Sequence, residues 1–89
     1  MLTIIRFYAD WCGPCNAMLS TMNEIKEFYK DEVIFTDVNI DDNPQLRVEH
    51  QIRSIPAFLL FKDRTEVSRK IGSATLSELK EFIDEHRAT

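Results

Sequence analysis

Short apolar runs recur along the chain and predict four β-strands. Each run is bounded by charged or turn-forming residues, which is typical of strands that cross a buried sheet. The first is expected to be buried on both faces except at Arg6. The last two are separated only by Lys62-Asp63-Arg64-Thr65, a spacing that predicts an antiparallel hairpin. The four predicted strands span residues 3–8, 33–40, 57–61 and 66–71.

Apolar residues at helical spacing predict three helices. The first begins at Cys12-Gly13-Pro14-Cys15, because proline suits the first turn of a helix, and ends near Tyr29. Its apolar stripe contains methionines, which we interpret as core residues because such stripes usually face a core. A short second helix is predicted to begin at Pro44, capped by Asp42 or Asn43.

The order of the elements predicts the fold class. A third helix follows the capping-box pattern Thr75-Leu76-Ser77-Glu78, so the elements run βαβ, then α, then ββα. The βαβ unit requires two parallel strands, and the hairpin adds two antiparallel ones. We therefore predict an α/β fold in which three helices flank a four-stranded mixed sheet of order 2-1-3-4. The chain is short enough to form a single domain over residues 1–89.

Charge and composition exclude several classes of protein. The net charge of -4 argues against nucleic acid or an anionic membrane surface as a partner. No apolar run is long enough to cross a bilayer, and the N-terminal residues lack the layout of a signal peptide. We therefore expect a cytoplasmic protein without a membrane or nucleic-acid partner.

Cys12 and Cys15 are the strongest chemical signal. A loop this small would stabilise the fold very little, so the pair is either reactive or metal-binding. At a strand-to-helix turn, unpaired amides and the helix dipole lower the pKa of the first thiol, while the second lies one turn deeper. We therefore expect Cys12 to be an exposed nucleophile and Cys15 the resolving thiol. Pro14 stiffens the loop and removes an amide donor, which favours a reducing dithiol.

A zinc site is the alternative for these cysteines. Zinc needs two further ligands, and apart from carboxylates the chain offers only His50 and His86. Both are predicted near helix ends away from the cysteines, where the dipole favours a solvated histidine. We therefore favour a redox pair in a reducing compartment, with no metal and no cofactor.

The segment Asp10-Trp11-Cys12-Gly13-Pro14-Cys15 resembles the active-site segment of thioredoxins. The resemblance continues through residues 38–44, 52–58 and 70–72, in the family's order and at its spacing. It implies a thioredoxin-like fold and a protein disulfide reductase. The implied partners are disulfide-containing protein substrates and thioredoxin reductase or a similar reductant.

The resemblance also implies a substrate groove. Ile55-Pro56 matches the family's cis-proline step, although a trans proline opening the third strand is the alternative. The backbone at Ile55 would pair with an extended substrate, and Gly72 would let the substrate backbone come close. The implied groove residues are Trp11, Gly13, Pro14, Ile55, Pro56, Ile71 and Gly72.

Two departures from the family are expected to matter. Thioredoxins usually carry a buried aspartate at the position of Arg6 and a lysine at that of Asp37, so the charges are exchanged here. Because a guanidinium stays protonated, our hypothesis is that Asp37 accepts the proton of Cys15 through water while Arg6 holds it. The alternative is a structural ion pair.

The family also begins with an extra strand and helix, so residues 33–38 are expected to form a sheet edge. We predict a monomer at low concentration, with weak edge-to-edge dimerisation possible at that strand.

The sequence leaves two other functions open. One is a glutaredoxin-like enzyme that uses glutathione, although Gly13-Pro14 differs from the Pro-Tyr pair usual in that family. The other is a binding or processivity subunit in which the thiols are incidental.

Overall fold

The computed structural model describes residues 1–87, so residues 88 and 89 of the predicted 1–89 domain lie outside the described part. Eight elements follow one another along these residues. They are β1 (Leu2–Tyr8), α1 (Gly13–Ala17), α2 (Leu19–Phe28), β2 (Val33–Asn39), α3 (Pro44–Glu49), β3 (Ala57–Lys62), β4 (Thr65–Ile71) and α4 (Leu76–Arg87).

The four strands form one mixed sheet of order β2-β1-β3-β4, which confirms the predicted topology. β1 pairs in parallel with β2, with Leu2 opposite Val33 and Tyr8 opposite Asn39. β3 pairs antiparallel with both β1 and β4. The central strand β1 therefore ends at the same end of the sheet at which β3 begins and β4 ends.

The described residues contain four helices, whereas the sequence predicted three, because the first predicted helix is interrupted at Met18. The amide of Met18 bonds to the carbonyl of Cys15 at 3.2 Å, a tight turn, and the α-helical pattern resumes with Met22 N to Met18 O at 2.8 Å. Neither proline nor glycine marks the break. Apolar spacing alone therefore suggested one continuous helix.

Two apolar clusters occupy the two faces of the sheet. The larger one joins α2 and α4 to the sheet, and the predicted methionine stripe is part of this core. The smaller one contains both cysteines and side chains from β1, β2 and β3, with Leu46 of α3 packed against it. The capping box at α4 forms as predicted, because the amide of Glu78 donates to Thr75 Oγ1 and the amide of Thr75 donates to the Glu78 carboxylate.

Around α3, Asn43 is confirmed as the cap residue, whereas the expected solvation of His50 is wrong. Asn43 occupies the cap position, but its side chain donates to the carbonyl of Asn39 instead of capping the helix. His50 ends α3, yet it is half-buried between two aromatic rings, 5.6 Å from Phe7 and 6.0 Å from Phe61 between ring centroids. A histidine offers an apolar ring face, and here that face packs against the sheet.

No helix within residues 1–87 is long and apolar enough to cross a membrane.

The packing of α2 predicts a large difference between two of its apolar residues. Ile25 is 1% exposed and Leu19 is 52% exposed. We expect Ile25→Ala to lower the free energy of unfolding by about 2–5 kcal/mol, because it leaves a cavity in the core. Leu19→Ala is the matched control and is expected to change it by less than about 0.5 kcal/mol. Urea unfolding measures both, and equal losses would contradict this description of the core.

Candidate active site

The residues of the predicted site converge at one end of the sheet, where β1 and β4 end and β3 begins. Phe7, near the end of β1, lies opposite Ala57 at the start of β3, and Ala57 lies opposite Ile71 at the end of β4. The loop from β1 to α1 carries the cysteines, and the loop before β3 carries Ile55-Pro56. Strand pairing therefore brings together segments that are about sixty residues apart in sequence.

Cys12 and Cys15 form a disulfide whose Cα atoms are 5.2 Å apart. Cys12 is the N-cap of α1, with extended backbone angles, and its amide bonds to the carbonyl of Ala9 at 3.1 Å. Its Sγ accepts a hydrogen bond from the amide of Cys15 at 3.1 Å. The sulfur thus takes the place that a serine or aspartate oxygen usually has at a helix start. A negative charge on this sulfur would be stabilised by the same amide.

The disulfide is better covered than the sequence predicted. Cys12, expected to be exposed, is 4% exposed, and Cys15 is 1% exposed. Both belong to the smaller apolar cluster, together with Ala9 and Ala57. The following Gly13 and Pro14 are exposed, and a Cβ added at Gly13 would contact nothing within 4 Å. The surface beside the disulfide is therefore open at residues 13 and 14.

Trp11 projects from the surface next to the disulfide, with 67% of its area exposed. Its indole Nε1 donates a hydrogen bond of 2.7 Å to Asp41 Oδ2. Asp41 is held in turn by its own amide, which bonds to Asn39 Oδ1 at 2.9 Å. The ring is therefore oriented by the loop after β2, although its faces remain available to a ligand.

Another part of the site is formed where β3 begins and β4 ends. The Ile55–Pro56 peptide bond is cis, as the family resemblance implied, and not trans as in the alternative. The carbonyl of Pro56 accepts a bond of 2.8 Å from the amide of Gly72, which has a φ of +94° that disfavours any residue with a side chain. No atom lies within 4 Å of the place where a Cβ of Gly72 would be. Ile71, beside it, is 50% exposed.

The backbone of Ile55 is available for pairing. Within residues 1–87, neither its amide nor its carbonyl takes part in a hydrogen bond. Ile55 also packs against the smaller apolar cluster that contains both cysteines, so these free backbone groups lie near the disulfide. An extended peptide is the kind of ligand that such backbone groups can bind.

Arg6 is buried, whereas the sequence suggested that it interrupts the buried surface of β1. It is 5% exposed, and its Nε donates to Asp37 Oδ1 at 3.0 Å across the β1–β2 pair. Its guanidinium also lies 4.5 Å from the centroid of the Tyr8 ring. The other carboxylate oxygen of Asp37 accepts from Lys26 Nζ of α2 at 2.7 Å. Charge pairing explains how this cation is accommodated in the sheet.

The electrostatics of this group favour an ionised Asp37. Partial burial opposes ionisation of its carboxyl group, but the hydrogen bonds and charges of Arg6 and Lys26 outweigh it and lower the pKa. Arg6 retains one nitrogen, Nη1, that is buried without a hydrogen-bond partner among the described residues. Two cations thus share one carboxylate, which leaves the network with a net positive charge.

The comparison with protein families agrees with this geometry. The thioredoxin family profile matches residues 1–85 of the chain. The chain belongs to the thioredoxin family. Its members are thiol–disulfide oxidoreductases, and the cysteine pair here is the disulfide that such an enzyme uses.

Several relatives support this assignment. Thioredoxin from Buchnera aphidicola subsp. Acyrthosiphon pisum is 39% identical over 83 residues, covering 93% of this chain and 77% of that protein. Thioredoxin 1 from Synechococcus elongatus is 36% identical and covers 93% of this chain and 78% of that protein. Thioredoxin X, a chloroplastic protein of Arabidopsis thaliana, is 39% identical over 91% of this chain and 46% of its own length.

Solved structures agree on the fold. One, titled as thioredoxin-2, a component of malaria parasite protein secretion machinery, gives a TM-score of 0.92 at 24% identity. It covers 97% of this chain and 84% of that one. A second, titled as a malarial protein, gives a TM-score of 0.90, also at 24% identity, and covers 97% of both chains.

Sequence reasoning missed two contributors to the site. Asp41, which binds the Trp11 indole, lay within the family-like segment 38–44 without a role of its own, and Lys26, which binds Asp37, was not singled out. No local pattern pairs either residue with its partner. For Lys26, the signal that was available is its place on the helix that crosses between the parallel strands carrying Arg6 and Asp37.

The Asp37 network predicts a specific dependence of stability on pH. Because the folded-state pKa of Asp37 is lowered, its stabilisation is present above the unfolded pKa of about 3.9 and is lost as pH falls through the folded pKa. We expect Asp37→Asn to cost about 2 kcal/mol at pH 7 and progressively less below about pH 4. Urea unfolding between pH 7 and pH 3 measures this, with Asp31→Asn on the exposed turn before β2 as control. A cost that is the same at both pH values would contradict the assignment.

Proposed function

We propose that this protein reduces disulfide bonds in other proteins, with Cys12 as nucleophile and Cys15 as resolving thiol. The observation that supports this most directly is the hydrogen bond from the amide of Cys15 to Cys12 Sγ. In the reduced enzyme the same amide would stabilise a thiolate on Cys12, and the thiolate is the reactive form of cysteine. Among residues 1–87, no backbone amide donates in this way to the sulfur of Cys15, which lies one turn along.

The reaction conserves atoms and electrons without a cofactor. The Cys12 thiolate attacks one sulfur of a substrate disulfide, forming a mixed disulfide and releasing the other substrate sulfur as a thiolate that takes up a proton. Cys15 then loses its proton and attacks Cys12 Sγ, which releases the second substrate thiol and forms the Cys12–Cys15 disulfide. The substrate gains two electrons and the enzyme loses two.

Substrate binding is proposed to use backbone on one side and an aromatic rim on the other. The free amide and carbonyl of Ile55 pair with an extended substrate segment, and Gly72 admits its backbone. Pro56 and Ile71 form the adjoining wall, and Gly13 and Pro14 form the open floor. Trp11 contributes an oriented apolar surface on the opposite side. Recognition through backbone rather than side chains suits an enzyme with many protein substrates.

We propose that the oxidised enzyme is recharged by thioredoxin reductase or a similar reductase in a reducing compartment such as the cytoplasm. The Gly13-Pro14 pair and the identity to thioredoxins favour this over glutathione as the direct reductant. Low concentrations favour a monomer. A role as a binding or processivity subunit would leave the cysteines without a function, and the amide-stabilised sulfur argues against it.

Asp37 and Arg6 are proposed as residues that assist the resolution step. Asp37 is ionised, as a proton acceptor for Cys15 must be, and Arg6 fixes one of its oxygens. The competing role is purely structural, since two cations also make the carboxylate a weaker base. The two roles differ in what the carboxylate contributes to the rate of resolution.

The assignment of the two cysteines predicts different failures for two variants. Cys12→Ser is expected to lose insulin reduction down to the uncatalysed rate, because the nucleophile is absent. Cys15→Ser is expected to accumulate a mixed disulfide at Cys12, because resolution is blocked. Turnover with thioredoxin reductase and with glutathione measures the first variant, and mass spectrometry under non-reducing conditions measures the second. Trapping of substrate by Cys12→Ser instead would reverse the roles, and full turnover by either variant would exclude the proposed reaction.

The Asp37 hypothesis predicts a slower resolution step. In single-turnover experiments at pH 7, Asp37→Asn is expected to resolve the mixed disulfide roughly 100-fold more slowly if the carboxylate accepts the proton. Lys26→Gln is the matched control, because it removes a partner of Asp37 but keeps the carboxylate. Equal rates for the wild type and both variants would leave Asp37 with a structural role only.

A further inference from the structure

β2 forms one edge of the sheet, and its outer side is free of other strands within residues 1–87. The register between β1 and β2 identifies which groups face outward. Ile40 N bonds to Tyr8 O at 2.9 Å, so the even-numbered residues of β2 direct their backbone groups toward β1. Phe35 and Asp37 therefore direct both amide and carbonyl away from the sheet.

The two ends of this edge are only half free. The amide of Val33 is bonded to the carbonyl of Tyr29 at 2.9 Å, which leaves its carbonyl free. The carbonyl of Asn39 accepts from the amides of Asp42 and Asn43, which leaves its own amide free. Six backbone groups of the edge thus lack partners among the described residues: the carbonyl of Val33, both groups of Phe35 and Asp37, and the amide of Asn39.

Protection against edge pairing is weak at β2 and strong at β4. The only charged side chain of β2, Asp37, is paired with Arg6 and Lys26, so no unpaired carboxylate on the strand repels an approaching one. β4 instead carries the Glu66–Arg69 ion pair along its length, and its pairing with β3 shifts register between Leu60 and Phe61. On β2, by contrast, Ile34 is an apolar side chain that is 49% exposed.

We propose that this edge binds a second copy of the chain, as an antiparallel pair of β2 strands related by a twofold axis at Thr36. In this register Phe35 lies opposite Asp37 of the second copy, and Val33 lies opposite its Asn39. Phe35 and Asp37 exchange both backbone bonds, and the free amide of Asn39 donates to the free carbonyl of Val33. All six unpaired groups of each copy are then bonded, which gives six hydrogen bonds across the axis.

Neighbouring registers are less complementary. An axis at Phe35 places Val33 opposite Asp37, and the carbonyl of Asp37 then finds no donor because the amide of Val33 is already bonded. An axis at Asp37 places the two carboxylates opposite each other, and one at Ile34 places Asp31 opposite Asp37. The axis at Thr36 avoids like charges directly opposite within the strand.

Side chains support the same register. On the sheet face away from α2, Ile34 lies opposite Val38 of the second copy, and the two Thr36 side chains face each other across the axis. These are close, non-hydrogen-bonded pairs of β-branched residues, and they cover the exposed Ile34. The contact spans a single strand of seven residues, so the association belongs to the weak class of interfaces.

The first test is amide exchange as a function of protein concentration. The oxidised protein is used, since its described cysteines are both in the disulfide and intermolecular disulfides do not interfere. The salt concentration is about 0.15 M, to screen the repulsion between two chains of net charge -4. Amides of Phe35 and Asp37 are expected to gain protection as concentration rises, while that of Thr36, which faces β1, is protected throughout. Exchange at Phe35 and Asp37 that is independent of concentration overturns the proposal.

The second test uses sedimentation of two matched variants. Thr36→Lys places two like charges at the axis and is expected to weaken dimerisation at least about tenfold. Val67→Lys makes the same kind of change on the exposed side of β4 and is expected to leave dimerisation unchanged. Circular dichroism checks that both variants fold. A wild-type protein that stays monomeric up to about 1 mM, or a dimer that Val67→Lys disrupts and Thr36→Lys does not, overturns the proposal.

Discussion

The arrangement of the active site depends on one local constraint, which is that only four residues separate the end of the central strand from the first residue of a helix and that the last of them, Cys12, is the helix cap. The Cys12 sulfur, in the cap position, accepts a hydrogen bond from the amide of Cys15 and also forms the disulfide with the Cys15 sulfur. Both the reactivity of the first sulfur and its closeness to the second follow from this one turn. A helix that began a residue earlier or later would leave the cap to a different side chain and separate the two functions.

Much of the fold was predictable because its signals are local. The strand order follows from a βαβ unit and a hairpin, and both are visible in the spacing of apolar runs. The cap of α4 was readable from Thr75 to Glu78, and the cysteine pair from its position after a buried strand. The cis bond before Pro56 was expected from resemblance to a family rather than from composition or periodicity.

What could not be predicted depends on contacts between distant elements. The pairing of Arg6 with Asp37 was expected, but no short pattern specifies the tyrosine ring that covers the guanidinium or the second cation, Lys26, on the same carboxylate. The same holds for the orientation of Trp11 by Asp41, and for the packing of His50 between two aromatic rings. The break at Met18 was invisible because the residues around it are ordinary helix formers. For Arg6, Trp11 and His50, tertiary contacts decided the outcome, and these lie outside any single window of sequence.

The polarity of β1 has a consequence for how the molecule can be handled. The strand starts next to Met1, which contacts Asp63 in the β3–β4 turn, and it ends beside the loop that carries the disulfide. The irregular part of the hairpin, with its register shift and the left-handed Asp63, lies at the starting pole as well. A label or fusion attached at residue 1, or an insertion into that turn, therefore projects from the pole opposite the disulfide and leaves the approach to it clear.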